Sequence, residues 1–154
     1  MRIAVIGTGL IGASVGLAAR RRDHHVAGFD PDERALAVAS DRGALDEPVT
    51  SIEGAVAEAD LAVVAAPVAQ LVPTVEAVLA ASADGCSVTD VGSTKARVAT
   101  TAGSPRFVGG HPVCGSEAVL EEELDGRYMT LCDPRLNGRQ SLDLAFRLAE
   151  LMRS

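Results

Sequence analysis

Arg2-Ile3-Ala4-Val5-Ile6-Gly7-Thr8-Gly9-Leu10-Ile11-Gly12 is the stretch on which the fold turns. Its first half is a short, β-branched apolar run, read as a buried strand. Its second half is G-x-G-x-x-G, and residues 10–22 carry Leu10, Ile11, Ser14, Val15, Ala18 and Ala19 at helical spacing. Three arginines, Arg20 to Arg22, close that segment, which suits the negative end of a helix. Gly7 permits a tight turn. Gly9 lets backbone approach a pyrophosphate with no Cβ in the way, and Gly12 lets the helix pack close on the strand. The helix start offers N–H groups without intrahelical acceptors and the positive end of the helix dipole. Taken alone, the three glycines are also compatible with plain turn residues.

The pattern around this stretch is alternation. Residues 26–29 read as a second strand, ending at Asp30, eighteen residues after Gly12. Pro31 opens a helix over 32–42, closed by Gly43. Residues 44–50 read as a loop with a short strand, 52–59 as a short helix, and 61–66 as an apolar strand stopped by Pro67. A helix is expected over 71–83 with Pro73 in its first turn, a strand over 86–91, a helix over 94–101 and a strand over 106–108. Residues 110–126 read as a polar loop with an acidic run, 128–132 as a strand, and 141–152 as an amphipathic helix. Strands alternating with helices at this spacing predict βαβ units. The expected fold is α/β: a doubly wound, Rossmann-type, mostly parallel sheet with helices on both faces, in one domain over 1–154.

Composition agrees with a globular chain: 154 residues, 47% apolar and 23% charged. The net charge of −7, with no Trp, one Tyr and three Phe, argues against a nucleic-acid partner, which needs a basic face and stacking platforms. No apolar run approaches the roughly 20 residues of a membrane span, and the apolar start is too short for a signal-peptide core. Cys86, Cys114 and Cys132 are odd in number and widely spaced, with no C-x-x-C pair. They predict reduced thiols, a cytoplasmic chain and no metal site.

Three segments fall at or after the carboxyl ends of expected strands, where open α/β sheets place ligands. They are Ala65-Ala66-Pro67-Val68, Asp90-Val91-Gly92-Ser93-Thr94-Lys95 and Gly109-Gly110-His111-Pro112-Val113-Cys114-Gly115-Ser116-Glu117. With Gly9-Leu10-Ile11-Gly12, Asp30 and Ala59-Asp60 they resemble, in order and spacing, the prephenate (arogenate/cyclohexadienyl) dehydrogenase family. The likeness is to that family's N-terminal, nucleotide-binding part. It implies an NAD site formed by Gly7, Gly9, Leu10, Ile11, Gly12, Asp30, Ala66, Pro67, Val91 and Gly92. Asp30 there receives the ribose hydroxyls and repels a 2′-phosphate, favouring NAD over NADP; the alternative for the residue alone is an N-cap for the helix at Pro31.

The resemblance also implies chemistry. Prephenate gives up a hydride from C4 and loses CO2, yielding 4-hydroxyphenylpyruvate; arogenate would yield tyrosine. His111 would take the C4 hydroxyl proton, suited by an ordinary pKa of about 6.5. Ser93 would hydrogen-bond the same hydroxyl, and Ser93, Thr94 and His111 would contact substrate. Without the motif, His111 also reads as a loop histidine satisfied by backbone. Lys95, the only lysine beside thirteen arginines, reads either as a partner for an anion or as a loop anchor. Cys114 reads as packing, and His24 and His25 as solvated. Family members continue into a helical domain that dimerises and supplies an arginine to the substrate carboxylate. That domain is expected to be absent here, with a homodimer weaker for its loss. Two readings follow: an NAD-dependent dehydrogenase of tyrosine biosynthesis, or a non-catalytic NAD-binding module or regulatory remnant. A β-hydroxyacid-type reductase is a third, less well matched by the H-P-x-x-G-x-E stretch.

Overall fold

The structure is a computed structural model, and it describes residues 1–93, 98, 104–112 and 129–131, with backbone alone at 111, 112 and 129–131. Strand β1 (Arg2–Ile6) leads into helix α1 (Leu10–Arg20), followed by β2 (His25–Phe29), α2 (Glu33–Asp41), β3 (Glu47–Pro48) and α3 (Ile52–Val56). Then come β4 (Leu61–Val64), α4 (Val68–Ala81), β5 (Ser87–Asp90), β6 (Phe107–Pro112) and β7 (Met129–Leu131). The sheet order is β3-β2-β1-β4-β5-β6-β7. The first six strands are parallel, and β7 runs antiparallel to β6, with Gly110 opposite Leu131. This is the doubly wound order, in which the winding reverses between β1 and β4.

The strand period of two explains the double layer. Ile3 and Val5 of β1, with Leu61 and Val63 of β4, join Val15 and Ala19 of α1 and Ala39 of α2 in one core cluster. Ala4, Ile6, Ala62 and Val64 face the other way, onto Ala55 and Val56 of α3 and Leu71, Val75 and Val78 of α4. Both faces are covered, as parallel strands require.

Several expectations are corrected. On α1 the buried face is Gly12, Val15, Gly16 and Ala19 with Ser14, while Leu10 and Ile11 stand 47% and 37% exposed. The glycine face fits closer to the sheet than a leucine stripe could. Helix α2 begins at Glu33 rather than at 32, because Asp32 is its N-cap and accepts a hydrogen bond from the Arg34 N–H at 2.9 Å. Helix α4 starts at Val68, so Pro73 lies inside it rather than in its first turn. Helix α3 ends at Val56, and β4 at Val64. Gly110, His111 and Pro112 belong to β6 rather than to a loop, because β7 pairs with them. His24 and His25 are half-buried rather than solvated. His24 Nδ1 lies 3.3 Å from the N-terminal amine, and His25 Nε2 lies 3.9 Å from a Glu47 oxygen. Cys86 is buried and outside any disulfide. Val98 is helical and buried. The rest of the helix expected over 94–101, the acidic run 121–123 and the helix over 141–152 lie outside the described residues.

Arg106 fastens the far end of α4. Its guanidinium donates to the carbonyls of Leu79 (2.7 Å), Ala83 (2.9 Å) and Cys86 (3.4 Å) and to Ser82 Oγ (2.9 Å). Of these, the Leu79 carbonyl lies in the last turn of α4, where a helix leaves its carbonyls without intrahelical partners. Arg106→Ala should cost about 1.5–3 kcal/mol in chemical denaturation. A change under about 0.5 kcal/mol, the scatter of ordinary surface substitutions, would contradict this role.

Candidate functional site

The carboxyl ends of β1, β2, β4 and β5 form one continuous edge. Gly7 N–H donates to the Phe29 carbonyl (2.8 Å), Ala65 N–H to Ile6 (2.7 Å) and Val91 N–H to Val64 (3.1 Å). At this edge Gly7 adopts φ +94°, and a methyl group there would lie 2.6 Å from the Ala65 carbonyl oxygen. A Cβ on Gly12 would run into the Gly7 carbonyl oxygen. Both positions therefore require glycine, one for its dihedral and one for its lack of volume. At Gly9 a Cβ would meet nothing within 4 Å, so open space lies beside the start of α1.

The helix ends differ in how they are finished. Asp32 caps α2 and Ser51 caps α3 through side-chain oxygens. Helix α1, with Gly9 as N-cap, and α4, with Pro67 as N-cap, have no side-chain cap and no acidic residue in the first turn. These two helices open after β1 and β4, the strands between which the winding reverses. An uncapped helix start with room in front of it is a receptor for an anion. Exposed Leu10, Ile11 and Val68 supply apolar surface at the same two helix starts.

Asp30 sits half-buried at the end of β2. Its Oδ2 accepts hydrogen bonds from the Thr8 N–H at 2.6 Å and the Thr8 hydroxyl at 3.3 Å. Its Oδ1 accepts from the Asp32 N–H at 2.9 Å. The carboxyl is thus held against the glycine loop, and the N-cap duty considered for Asp30 falls to Asp32. Each oxygen retains acceptor capacity. Thr8 is 3% exposed and was not singled out in the sequence; a polar residue between two glycines was its only signal.

Ala66, Pro67, Val91, Gly92 and exposed Ser93 follow β4 and β5 along this edge, together with the glycine loop. His111 lies in β6 opposite Thr130, two residues past the Gly109 that pairs with Asp90. Thr94, Lys95 and Cys114 lie outside the described residues. Asp60, part of the motif series, sits at the opposite edge, where its Oδ2 accepts the Arg2 N–H at 2.8 Å. It is a strand-end anchor. Among the described residues no three His, Cys, Asp or Glu side chains gather to hold a metal ion. No described helix is long and apolar enough to cross a membrane.

The family model described as prephenate dehydrogenase, nucleotide-binding domain, matches residues 15–154. The chain belongs to the prephenate dehydrogenase family. A prephenate dehydrogenase of Lactococcus lactis is 32% identical over 124 residues, covering 75% of this chain and 34% of that protein. A structure of the Aquifex aeolicus prephenate dehydrogenase with hydroxyphenyl propionate and NAD+ superposes with a TM-score of 0.84 at 26% identity, over 99% of this chain and 57% of that one. Synechocystis arogenate dehydrogenase gives 0.78 at 28% identity, over 100% of this chain and 58% of that one. The chain thus spans about a third of the curated relative and under three-fifths of these structures. A separate short likeness, 54% identity over 41 residues or 27% of this chain, is to a phospho-2-dehydro-3-deoxyheptonate aldolase of Streptomyces lividans. Within the prephenate dehydrogenase family this chain is the nucleotide-binding domain.

Because a Cβ at position 12 has no space, Gly12→Ala should force α1 off β1. Overpacking of this kind costs about 1–3 kcal/mol. Denaturation curves should show that loss, while Gly9→Ala, facing open space, should stay within about 1 kcal/mol, the scale of an N-cap substitution. Equal effects at the two positions would contradict the geometry.

Proposed function

We propose that residues 1–154 act as one NAD-binding unit of a cytoplasmic prephenate or arogenate dehydrogenase. The observation that carries this reading is the uncapped start of α1, fronted by open space at Gly9 and flanked by the Asp30 carboxyl. The N–H groups of the first turn of α1 would hold the diphosphate. Asp30 would accept the adenosine ribose hydroxyls on the lone pairs that Thr8 and Asp32 leave available. Ala66, Pro67, Val91 and Gly92 would line the path along the edge, with the exposed apolar surface of Leu10, Ile11 and Val68 covering the rings.

When bound, the coenzyme supplies a nicotinamide that accepts hydride from C4 of the substrate ring, with loss of CO2 and aromatisation. His111 would accept the proton leaving the C4 hydroxyl, as an imidazole general base does. Ser93 would hydrogen-bond that hydroxyl and orient the imidazole, with Thr94 on the substrate side. The carboxylate-binding arginine and the dimer contact are assigned to a helical part beyond this domain, as the family resemblance implies.

Calorimetric titration with NAD and NADP, joined to NADH absorbance with prephenate and with arogenate, tests the reading. NAD should bind more tightly than NADP. Failure to bind NAD would overturn the proposal, and binding without turnover on either substrate would select the non-catalytic module. Asp30→Ala should weaken NAD by roughly 10- to 100-fold, the worth of hydrogen bonds to a charged group, with little change for NADP. An unchanged NAD-to-NADP ratio would remove Asp30 from the site. In a chain that turns over, His111→Asn should keep NAD affinity and lose roughly 10²–10⁴ in kcat; near-normal kcat would refute its role.

A further inference from the structure

Asp90 is the only fully buried carboxyl group among the described residues, at 0% exposure. It ends β5, level with Ile6 at the end of β1 and Val64 at the end of β4, which are buried and apolar. A carboxyl group in such a place is costly unless its oxygens are hydrogen-bonded. Both are. Oδ2 accepts the Gly92 N–H at 2.9 Å, and Oδ1 accepts the Gly110 N–H at 3.3 Å.

The second bond lies where the backbone ladder stops. Parallel pairing of β5 with β6 ends at Asp90 and Gly109. The next residue, Gly110, meets β7 on its other side, opposite Leu131. The Asp90 side chain takes over from the backbone and carries the β5–β6 connection one residue further. The buried Thr89 hydroxyl, donating to the Val108 carbonyl at 2.8 Å, ties the same two strands just before this point. Gly92 is confined as well, since a methyl there would lie 2.5 Å from Leu71 Cδ2 and 3.1 Å from Asp90 Oδ2. One side chain thus holds the residue before Ser93 and the residue before His111.

We propose that Asp90 is a positioning residue whose two oxygens set the separation between the backbone at Ser93 and at His111. The inference rests on the roles proposed above for Ser93 and His111, and it gives Asp90 no contact with substrate or coenzyme. An apolar side chain would fill the core as Ile6 and Val64 do. Only a two-oxygen acceptor of this length holds both N–H groups at once.

Asp90→Asn in the full chain separates the possibilities. The amide keeps the size but accepts through one oxygen only and turns an N–H2 toward the other donor. The shorter bond, to Gly92, should persist. By NMR the Gly110 amide should exchange at least about tenfold faster, the scale of one lost charge-assisted bond. NAD affinity should stay within about threefold. Turnover should fall roughly 10- to 100-fold in kcat at unchanged KM for NAD, the scale of a displacement of about 1 Å between reacting groups.

Unchanged Gly110 exchange, or unchanged kcat beside a working parent chain, would overturn the assignment of Asp90 alone. A parallel loss of NAD affinity, kcat and stability would make Asp90 merely structural and overturn it too. NAD binding without turnover in the parent chain would instead overturn the catalytic reading on which it rests. Asp90→Glu, with both acceptors moved by one methylene, serves if the amide variant does not fold, and the same split between kcat and NAD affinity is expected.

Discussion

The contact between the first helix and the first strand governs the rest of the molecule. Gly12 sits so close to the Gly7 carbonyl that no side chain fits between them, and Gly7 turns through φ +94° to make the approach. That approach leaves the start of α1 at the sheet edge with no side chain to cap it. In a parallel sheet every crossover helix begins at the carboxyl edge. What distinguishes α1 and α4 is that they flank the reversal of winding and begin with no side-chain cap.

Around that edge the polar groups are organised in pairs. Asp30 is tied to Thr8, twenty-two residues earlier, and Asp90 to Gly110, twenty residues later. Asp30 links a strand end to the glycine loop after β1, and Asp90 links a strand end to the neighbouring strand β6. The first braces the glycine loop, and the second joins the segments carrying Ser93 and His111. A chain with a net charge of −7 thus presents local anion affinity through backbone N–H groups, and it uses its carboxyl groups as braces beside them.

Membership of the prephenate dehydrogenase family fits this division of labour. The nucleotide half has a self-contained core on both sheet faces, from Ile3, Val5, Val15 and Val26 on one side to Ile6, Val64, Leu71 and Phe107 on the other. The segments carrying Ser93 and His111 lie at the β5–β6 end of the sheet, beside the antiparallel β7.

Much of this was legible in the residues, because it depends on local periods and local sterics. The alternation of strand and helix, the two-faced sheet, the glycine loop and the place of Asp30 follow from spacing and from the absence of a Cβ. Boundaries shifted at α2, where Asp32 is the cap rather than the first helical residue, and at β6, where β7 from further along the chain draws Gly110 to Pro112 into a strand. Tertiary structure alone decided that Leu10 and Ile11 stand exposed, that Thr8 braces Asp30, and that Asp90 is buried between Gly92 and Gly110. The physical reason is that burial and hydrogen-bond partnership belong to pairs of segments. A linear sequence names the donors and acceptors, and only the packed sheet determines which of them meet.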